Sequence, residues 1–242
     1  MDYTLRFYRD WVKEDDLTTF RVKVGETDLS IRAHADLTDE ALKFVKRLRT
    51  DIEVHAETHP GFLEALTPQV ADAAAPAIVA DMIRHSAAYG VGPMATVAGA
   101  MAQAVGRQLL RLTPEVIVEN GGDVFLQMKR PVKLMLYSGE ESPFAGDVVI
   151  AIDARGEARG VCTSSARVGP SLSLGQADAV LTIADDAALA DAAATAVANR
   201  ITRPEDVSVV LEEERVRGVL RGALVTIGHT LGAFGEVQLV KP

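Results

Sequence analysis

Three segments near the start of the chain, Thr4 to Val12, Thr18 to Val24 and Asp28 to Ala33, alternate apolar and polar side chains with a period of two. That is the pattern of strands with one buried face, and it predicts a small antiparallel meander. The period changes at Thr38. Thr38 offers an N-cap, Asp39 and Glu40 occupy the first turn, and Leu42, Val45, Leu48 and Ile52 recur at helical spacing until His59 and Pro60, so a helix is predicted between them. Two alanine-rich helices follow, about Pro76 to Ala88 and about Pro93 to Leu112. Each opens at a proline, which suits a first helical turn because it has no amide hydrogen to leave unsatisfied.

The middle of the chain returns to strands at Glu115 to Val118, Asp123 to Met128, Val132 to Leu136 and Asp147 to Ile152, and a second sheet is predicted around them. The breaks are Gly121-Gly122, Lys129-Arg130-Pro131 and a loop through Ser138, Gly139 and Pro143. A loop from Ala154 to Gly160 leads by a short strand into Cys162-Thr163-Ser164-Ser165. A loop rich in Gly and Ser, a strand Ala179 to Ala184 and a helix about Asp186 to Arg200 come next. From Val207 to the end further strands are predicted, with Gly218, Gly222, Gly228 and Gly232 marking turns. The pattern describes an α/β protein of the α+β kind, antiparallel sheets backed by helices, and with no linker it reads as a single domain over residues 1–242. MATVAGAMAQAV at Met94 to Val105 resembles AATAVANRI at Ala193 to Ile201. Two pseudo-repeated halves would produce that echo, and so would alanine-rich composition alone.

Composition narrows the classes. The 242 residues are 48% hydrophobic and 24% charged, which excludes collagen, coiled coil and general disorder. A formal charge of −9 repels phosphate backbones and disfavours nucleic acid as a partner. Cys162 is the only cysteine, so no internal disulfide or multi-cysteine metal centre exists. The first residues carry charges of both signs without an apolar core, unlike a secretory signal. The most apolar stretch, Ala73 to Ile83, is interrupted by Asp81 and stops at Arg84, short of the roughly 18 to 20 residues a membrane span needs. A cytoplasmic protein without a membrane partner is the expectation.

Several motifs carry candidate chemistry. GVGPMA at Gly90 to Ala95 has the glycines of a dinucleotide fingerprint but follows a helix rather than a strand, which favours a helix-to-helix turn. HAETH places His55 and His59 four apart, the spacing of two metal ligands on a helix; Pro60 stops that helix and the residue order is not a zincin's, so a solvated helix end is the simpler reading. Asn120-Gly121-Gly122-Asp123 between two strands fits a tight hairpin. The same glycines would let a flat or phosphorylated ligand approach the backbone, with Asn120 and Asp123 as polar contacts. ADAAATAVAN is apolar nearly all round and therefore predicts a buried helix. Asp191 and Thr195 share one face of it, and a buried carboxylate needs either a base or a cation such as Mg²⁺. A solvent-facing Asp191 paired with a surface base is the alternative. Thr163, Ser164 and Ser165 offer three hydroxyls, and Cys162, with no cationic neighbour closer than Arg167, reads as a small buried hydrophobe. No Walker loop, GxSxG elbow or kinase signature is present.

Taken together, VGPMATVAGAMAQAVG, VENGGDVFL, GVCTSSARVGPSLSLGQADAV, TIADDAALADAAATAVAN and ALVTIGHTLGAFGEVQLV resemble an uncharacterised prokaryotic family of the ApbE-like superfamily. The flavin transferases of that superfamily use Mg²⁺ to cleave FAD and attach FMN to a threonine of a target protein. The resemblance implies a fold related to the T-fold, FAD or FMN and Mg²⁺ as cofactors, and a protein acceptor as partner. It implies Asp191 and Thr195 as metal ligands and Asn120, Gly121, Gly122, Asp123, Thr163, Ser164 and Ser165 at the flavin. The TVAGA segment would supply a backbone carbonyl to the metal. Ala98 stands in that segment where the transferases carry a lysine, and their histidine, aspartate, proline and glycine motif has no counterpart here. The implied function is Mg-dependent binding of a flavin or related nucleotide, with flavinyl or phosphate-ester transfer, against a non-catalytic flavin- or pterin-binding or structural protein. Extended sheet edges make a homodimer a further expectation.

Overall fold

The computed structural model describes residues 16–139, 142–144, 148–166 and 174–240. The strand expected at Thr4 to Val12, Asp147 and Arg167 lie outside them. Strands β1 (Thr18–Val24) and β2 (Thr27–Ala33) form a hairpin. Helix α1 (Thr38–Thr58) then buries Ala41, Val45, Leu48, Ile52 and His55, the stripe that helical spacing predicts. Its start is held otherwise than expected. The N-cap position falls on Leu37, and the Asp36 carboxylate accepts from both the amide and the hydroxyl of Thr38, so Asp36 supplies the capping oxygen. Helix α2 (Ala77–Tyr89) ends on Gly90 in the left-handed conformation, and a 3-10 turn over Pro93–Thr96 leads into α3 (Val97–Leu109). The glycines of GVGPMA therefore serve a helix-to-helix turn.

Strands β3 (Val116–Asn120), β4 (Asp123–Gln127), β5 (Val132–Met135), β6 (Val149–Ile152), β7 (Ala158–Ser164) and β8 (Ala179–Ala184) precede helices α4 (Ala187–Arg200) and α5 (Asp206–Arg217). Strands β9 (Gly222–Ile227), β10 (Thr230–Gly235) and β11 (Gln238–Val240) follow. Among the described residues the main sheet has eight strands in the order β1-β2-β3-β4-β7-β8-β9-β10, every neighbour antiparallel. A smaller sheet, β11-β6-β5, contains β5 and β6 only from the middle group. The expected second sheet is thus corrected: β3 and β4 belong to the main one, because β3 pairs with β2.

Alternation divides the core. Val116, Val118, Phe125, Cys162 and Val180 face the helices, while Ile117, Leu126, Val161, Leu181 and Ile183 face the small sheet and pack with Val132, Ile150 and Ile152. Each large side chain so buried contributes about 1.5–3 kcal/mol. The strands expected from Val207 onward are a second correction. Residues 206–217 form α5, whose buried positions Val207, Val210, Leu211 and Glu214 are spaced three, one and three apart, a helical period in a β-branched sequence. Gly218 closes α5 in the left-handed conformation and Gly228 turns β9 into β10, but Gly222 and Gly232 lie within strands. The loop ending at Gly160 also gives way to β7 from Ala158.

The element order repeats: two antiparallel strands, a run of helices and two more antiparallel strands occur in each half, β1 to β4 and β7 to β10. The alanine echo does not mark that repeat, since α3 is the last helix of its half and α4 the first of its own. Small residues recur in both because the helices cross closely. A Cβ on Gly106 of α3 would lie 2.2 Å from Phe125 Cδ1, under the helix layer. Gly106→Ala is expected to destabilise the protein by about 1–3 kcal/mol, even though alanine favours the helix by about 1 kcal/mol. Urea denaturation of the variant against wild type checks it.

Candidate active site

The helix-facing ends of β3, β4 and β7 come together beneath α3 and α4. Gly121 and Gly122 both have positive φ, 70° and 105°, as the central pair of a type I′ hairpin requires, and Asn120 pairs with Asp123 across it. The turn is fastened on three sides. Asn120 Nδ2 donates to the Ala98 carbonyl at 3.2 Å, the Gly122 amide donates to Glu119 Oε1 at 2.8 Å, and the Thr163 hydroxyl donates to the Gly122 carbonyl at 3.2 Å. The Thr163 amide in turn donates to Asp123 Oδ1 at 3.0 Å. Asn120 and Asp123 lie on the same strand parity as Val118 and Phe125, so both carry their side chains toward the helix layer.

Asp191 meets this corner from α4. It is 7% exposed, and its Oδ2 accepts from the Gly99 amide at 2.8 Å. Gly99 is the third residue of α3, whose cap residue Thr96 makes no capping hydrogen bond of its own. A carboxylate on one helix thus satisfies the open N-terminal amides of another, where the helix dipole favours negative charge. A solvent-facing Asp191 paired with a base is therefore not what the fold contains: among the described residues its hydrogen-bond donor is backbone. Asp186 fixes α4 at its start. Its side chain accepts from the Ala188 and Leu189 amides and from Gln103 Nε2, while Gln103 Oε1 accepts from the Ala187 amide at 2.6 Å and His85 lies 3.3 Å away. Burial raises the Asp186 carboxyl, but His85 and Gln103 outweigh it and bring it down to about 2.

Among the described residues, acidic groups gather at the centre with no basic side chain bonded to them. Burial pushes Asp191 up to about 7 against the lowering of its backbone hydrogen bonds. Burial, with the Asp191 carboxylate next, raises Asp123 well above the usual carboxylate range. The Cys162 thiol is raised by burial and by both carboxylates, and its Sγ donates to the Ala187 carbonyl at 3.2 Å. Cys162 is thus a buried, protonated group, in keeping with its reading as a small hydrophobe.

The other candidate residues divide. Ser164 shares the helix-facing parity of Cys162, whereas Thr163 pairs with Leu181 on the opposite face, because consecutive strand residues alternate. Ser165 lies beyond β7 and its hydroxyl donates to the Asp178 carbonyl at 2.6 Å. Thr195 lies one turn after Asp191 on the same side of α4 and is half-buried. Gly99 was not singled out by sequence, although a glycine at the start of a helix is the trace such a close crossing leaves. His55, expected at a solvated helix end, is instead only 5% exposed, because the chain folds back after Pro60 and sets Phe62 against its ring.

The fold recurs among solved structures. Among solved structures, the flavinyl transferase ApbE of Pseudomonas stutzeri in its apo form aligns with a TM-score of 0.58 at 10% identity, over 90% of this chain and 93% of that one. The ApbE protein of Thermotoga maritima aligns with 0.54 at 14% identity, over 86% and 94%. These share the fold. A UPF0280 protein of Methanocella arvoryzae is 36% identical over 92% of this chain and 90% of its own length, and one of Methanoculleus marisnigri is 41% identical over 78% and 76%. The family model described as AbpE bacteria matches residues 9–216. The chain belongs to this ApbE-like family, of which the UPF0280 proteins are its relatives.

Proposed function

We propose that the corner formed by the β3–β4 turn, the end of β7 and Asp191 binds a flavin or related nucleotide together with Mg²⁺, and performs flavinyl or phosphate-ester transfer. The observation that carries this reading is the Asp191 carboxylate, buried beside a second buried carboxylate with, among the described residues, no basic side chain to neutralise either. The donor set suits a hard cation. Asp191 and Thr195, with the Ala98 carbonyl of the TVAGA segment, offer only oxygen ligands, which Mg²⁺ prefers over nitrogen or sulfur. Bound there, the ion would supply charge neutralisation for a pyrophosphate.

The chain's own residues would do the rest. Gly121 and Gly122 put no side chain in the way of a flat ring or a phosphate, Asn120 and Asp123 orient its polar edge, and Ser164 adds a hydroxyl on the same face, with Thr163 and Ser165 setting the end of β7. The protein acceptor, a homodimer and a cytoplasmic setting belong to the same proposal, as does a single domain over the whole chain.

The test is incubation with FAD with and without Mg²⁺, for wild type and Asp191→Ala. Mg²⁺-dependent release of AMP that the variant loses supports transfer. A second reading, a protein that only binds the nucleotide, is favoured by Ala98, whose methyl group supplies no charge and whose carbonyl is bound by Asn120. It predicts retention of intact FAD and a rise in melting temperature, since ligand at about 100 times its Kd adds roughly 2.7 kcal/mol. No AMP and no thermal shift with FAD, FMN or a pterin would refute both readings.

A further inference from the structure

We propose that His55, His59 and Asp72 form a binding site for one divalent transition-metal ion of the zinc class, separate from the Asp191 corner. The three ligand atoms lie within 4.8 Å of one another. They arrive from two directions. His55 and His59 are one helical turn apart at the end of α1, and their rings stack with centroids 3.8 Å apart at 14°. Residues 60–76 then return the chain so that Asp72 Oδ2 stands 3.5 Å from His59 Nε2.

The hydrogen bonds around the cluster leave its ligand atoms facing inward. His59 Nδ1 lies 2.9 Å from the His55 carbonyl and 3.0 Å from the Thr58 hydroxyl. A carbonyl can only accept, so Nδ1 carries a proton and Nε2 is the nitrogen that faces Asp72. This is the arrangement in which a metal-binding imidazole is held by a backbone carbonyl on its far nitrogen. Asp72 is held similarly: Oδ1 accepts from the Ala74 amide at 2.8 Å, which orients Oδ2 toward the imidazole. Nε2 and Oδ2 thus face each other across 3.5 Å, a gap that a metal ion or a second imidazole proton would fill. His55 is buried and packed edge-on against Phe62 at 4.9 Å, which fixes its ring beside that of His59.

Two imidazoles and one carboxylate suit zinc, with a fourth position left to water or a substrate group. Bonds of about 2.0–2.2 Å require the ligand atoms to draw together. The His59 and Asp72 side chains, 45% and 32% exposed, have the freedom to do so.

The experiment uses the full chain, stripped of metal, with Co²⁺ as the absorbing probe and Zn²⁺ as competitor, in excess Mg²⁺ to occupy any oxygen-only site. One equivalent of Co²⁺ displaced by Zn²⁺ is expected. His59→Gln and Asp72→Asn should each weaken binding by at least about tenfold, since even partners that only orient a ligand are worth about 10- to 100-fold. Asp191→Ala should leave it unchanged. Circular dichroism shows that the variants are folded; both positions are partly exposed and tolerate the change. Absence of saturable Zn²⁺ binding overturns the proposal, as does binding insensitive to both substitutions or binding abolished by Asp191→Ala. Because Mg²⁺ and FAD take no part in the readout, this outcome is independent of the flavin test.

Discussion

Asp191→Asn is expected to make the protein more stable than wild type at pH 8 and indistinguishable from it at pH 4. The carboxyl is raised by burial from 3.8 to about 7 in the folded chain, so the folded state holds its proton more tightly than the unfolded chain does. The stability this provides is complete below pH 4 and is lost as pH rises toward and through 7. A shift of about three units corresponds to about 4 kcal/mol, or roughly 10 °C in melting temperature for a chain of this size. Asparagine keeps an oxygen for the Gly99 amide and never ionises. The difference between variant and wild type cancels Asp186, which is brought down to about 2 by His85 and Gln103 and titrates with the opposite sign in both proteins, and it reports Asp191 together with its repulsion of Asp123. Mg²⁺ should narrow the gap at pH 8 by stabilising wild type and not the variant. Thermal melts from pH 4 to 8 decide the matter: parallel curves for the two proteins would mean that Asp191 carries no penalty for ionisation.

The elements with a plain period were readable from sequence, and the reasons for the exceptions are physical. The apolar stripe of α1 and the alternation of β1 and β2 each have a single solution. The segment from Val207 misled because valines favour strands locally, whereas burial at Val207, Val210, Leu211 and Glu214 obeys the helix; packing against β9 and β10 outweighs intrinsic propensity. The small sheet could not be foreseen from spacing, since β11 joins β6 across about ninety residues. At the candidate site, Asn120 to Asp123 and Asp191 were visible as residue types, and the buried helix around Asp191 as a composition. What sequence could not give was the meeting of α4 with the first turn of α3. The Gly99 amide and Asp191 are separated by 92 residues, and no local pattern records which amide a carboxylate will reach. The three hydroxyls after Cys162 likewise looked equivalent in the sequence, and strand alternation separates them.

The α3–α4 crossing supplies the second large effect. A Cβ on Gly99 would stand 2.4 Å from the Ala187 carbonyl oxygen, 2.9 Å from its carbon and 2.9 Å from Asp191 Cβ. Gly99→Ala is therefore expected to destabilise the chain by about 3 kcal/mol or more, the upper end of overpacking costs, and by more than Gly106→Ala. The contrast follows from what must move. Gly106 meets one edge of the Phe125 ring, which can shift within the core, whereas Gly99 meets the backbone of α4 at its first turn. That turn is locked by Gln103, whose side chain bonds both Asp186 and the Ala187 amide. Relief requires the helices to part, which lengthens the bond from the Gly99 amide to Asp191 and removes the carboxylate from the α3 N-terminus. Any Mg²⁺ response centred on Asp191 should then vanish along with the lost stability. Urea denaturation of both glycine variants, with and without Mg²⁺, tests the ranking; a Gly99→Ala protein as stable as wild type would show that the two helices do not cross in contact.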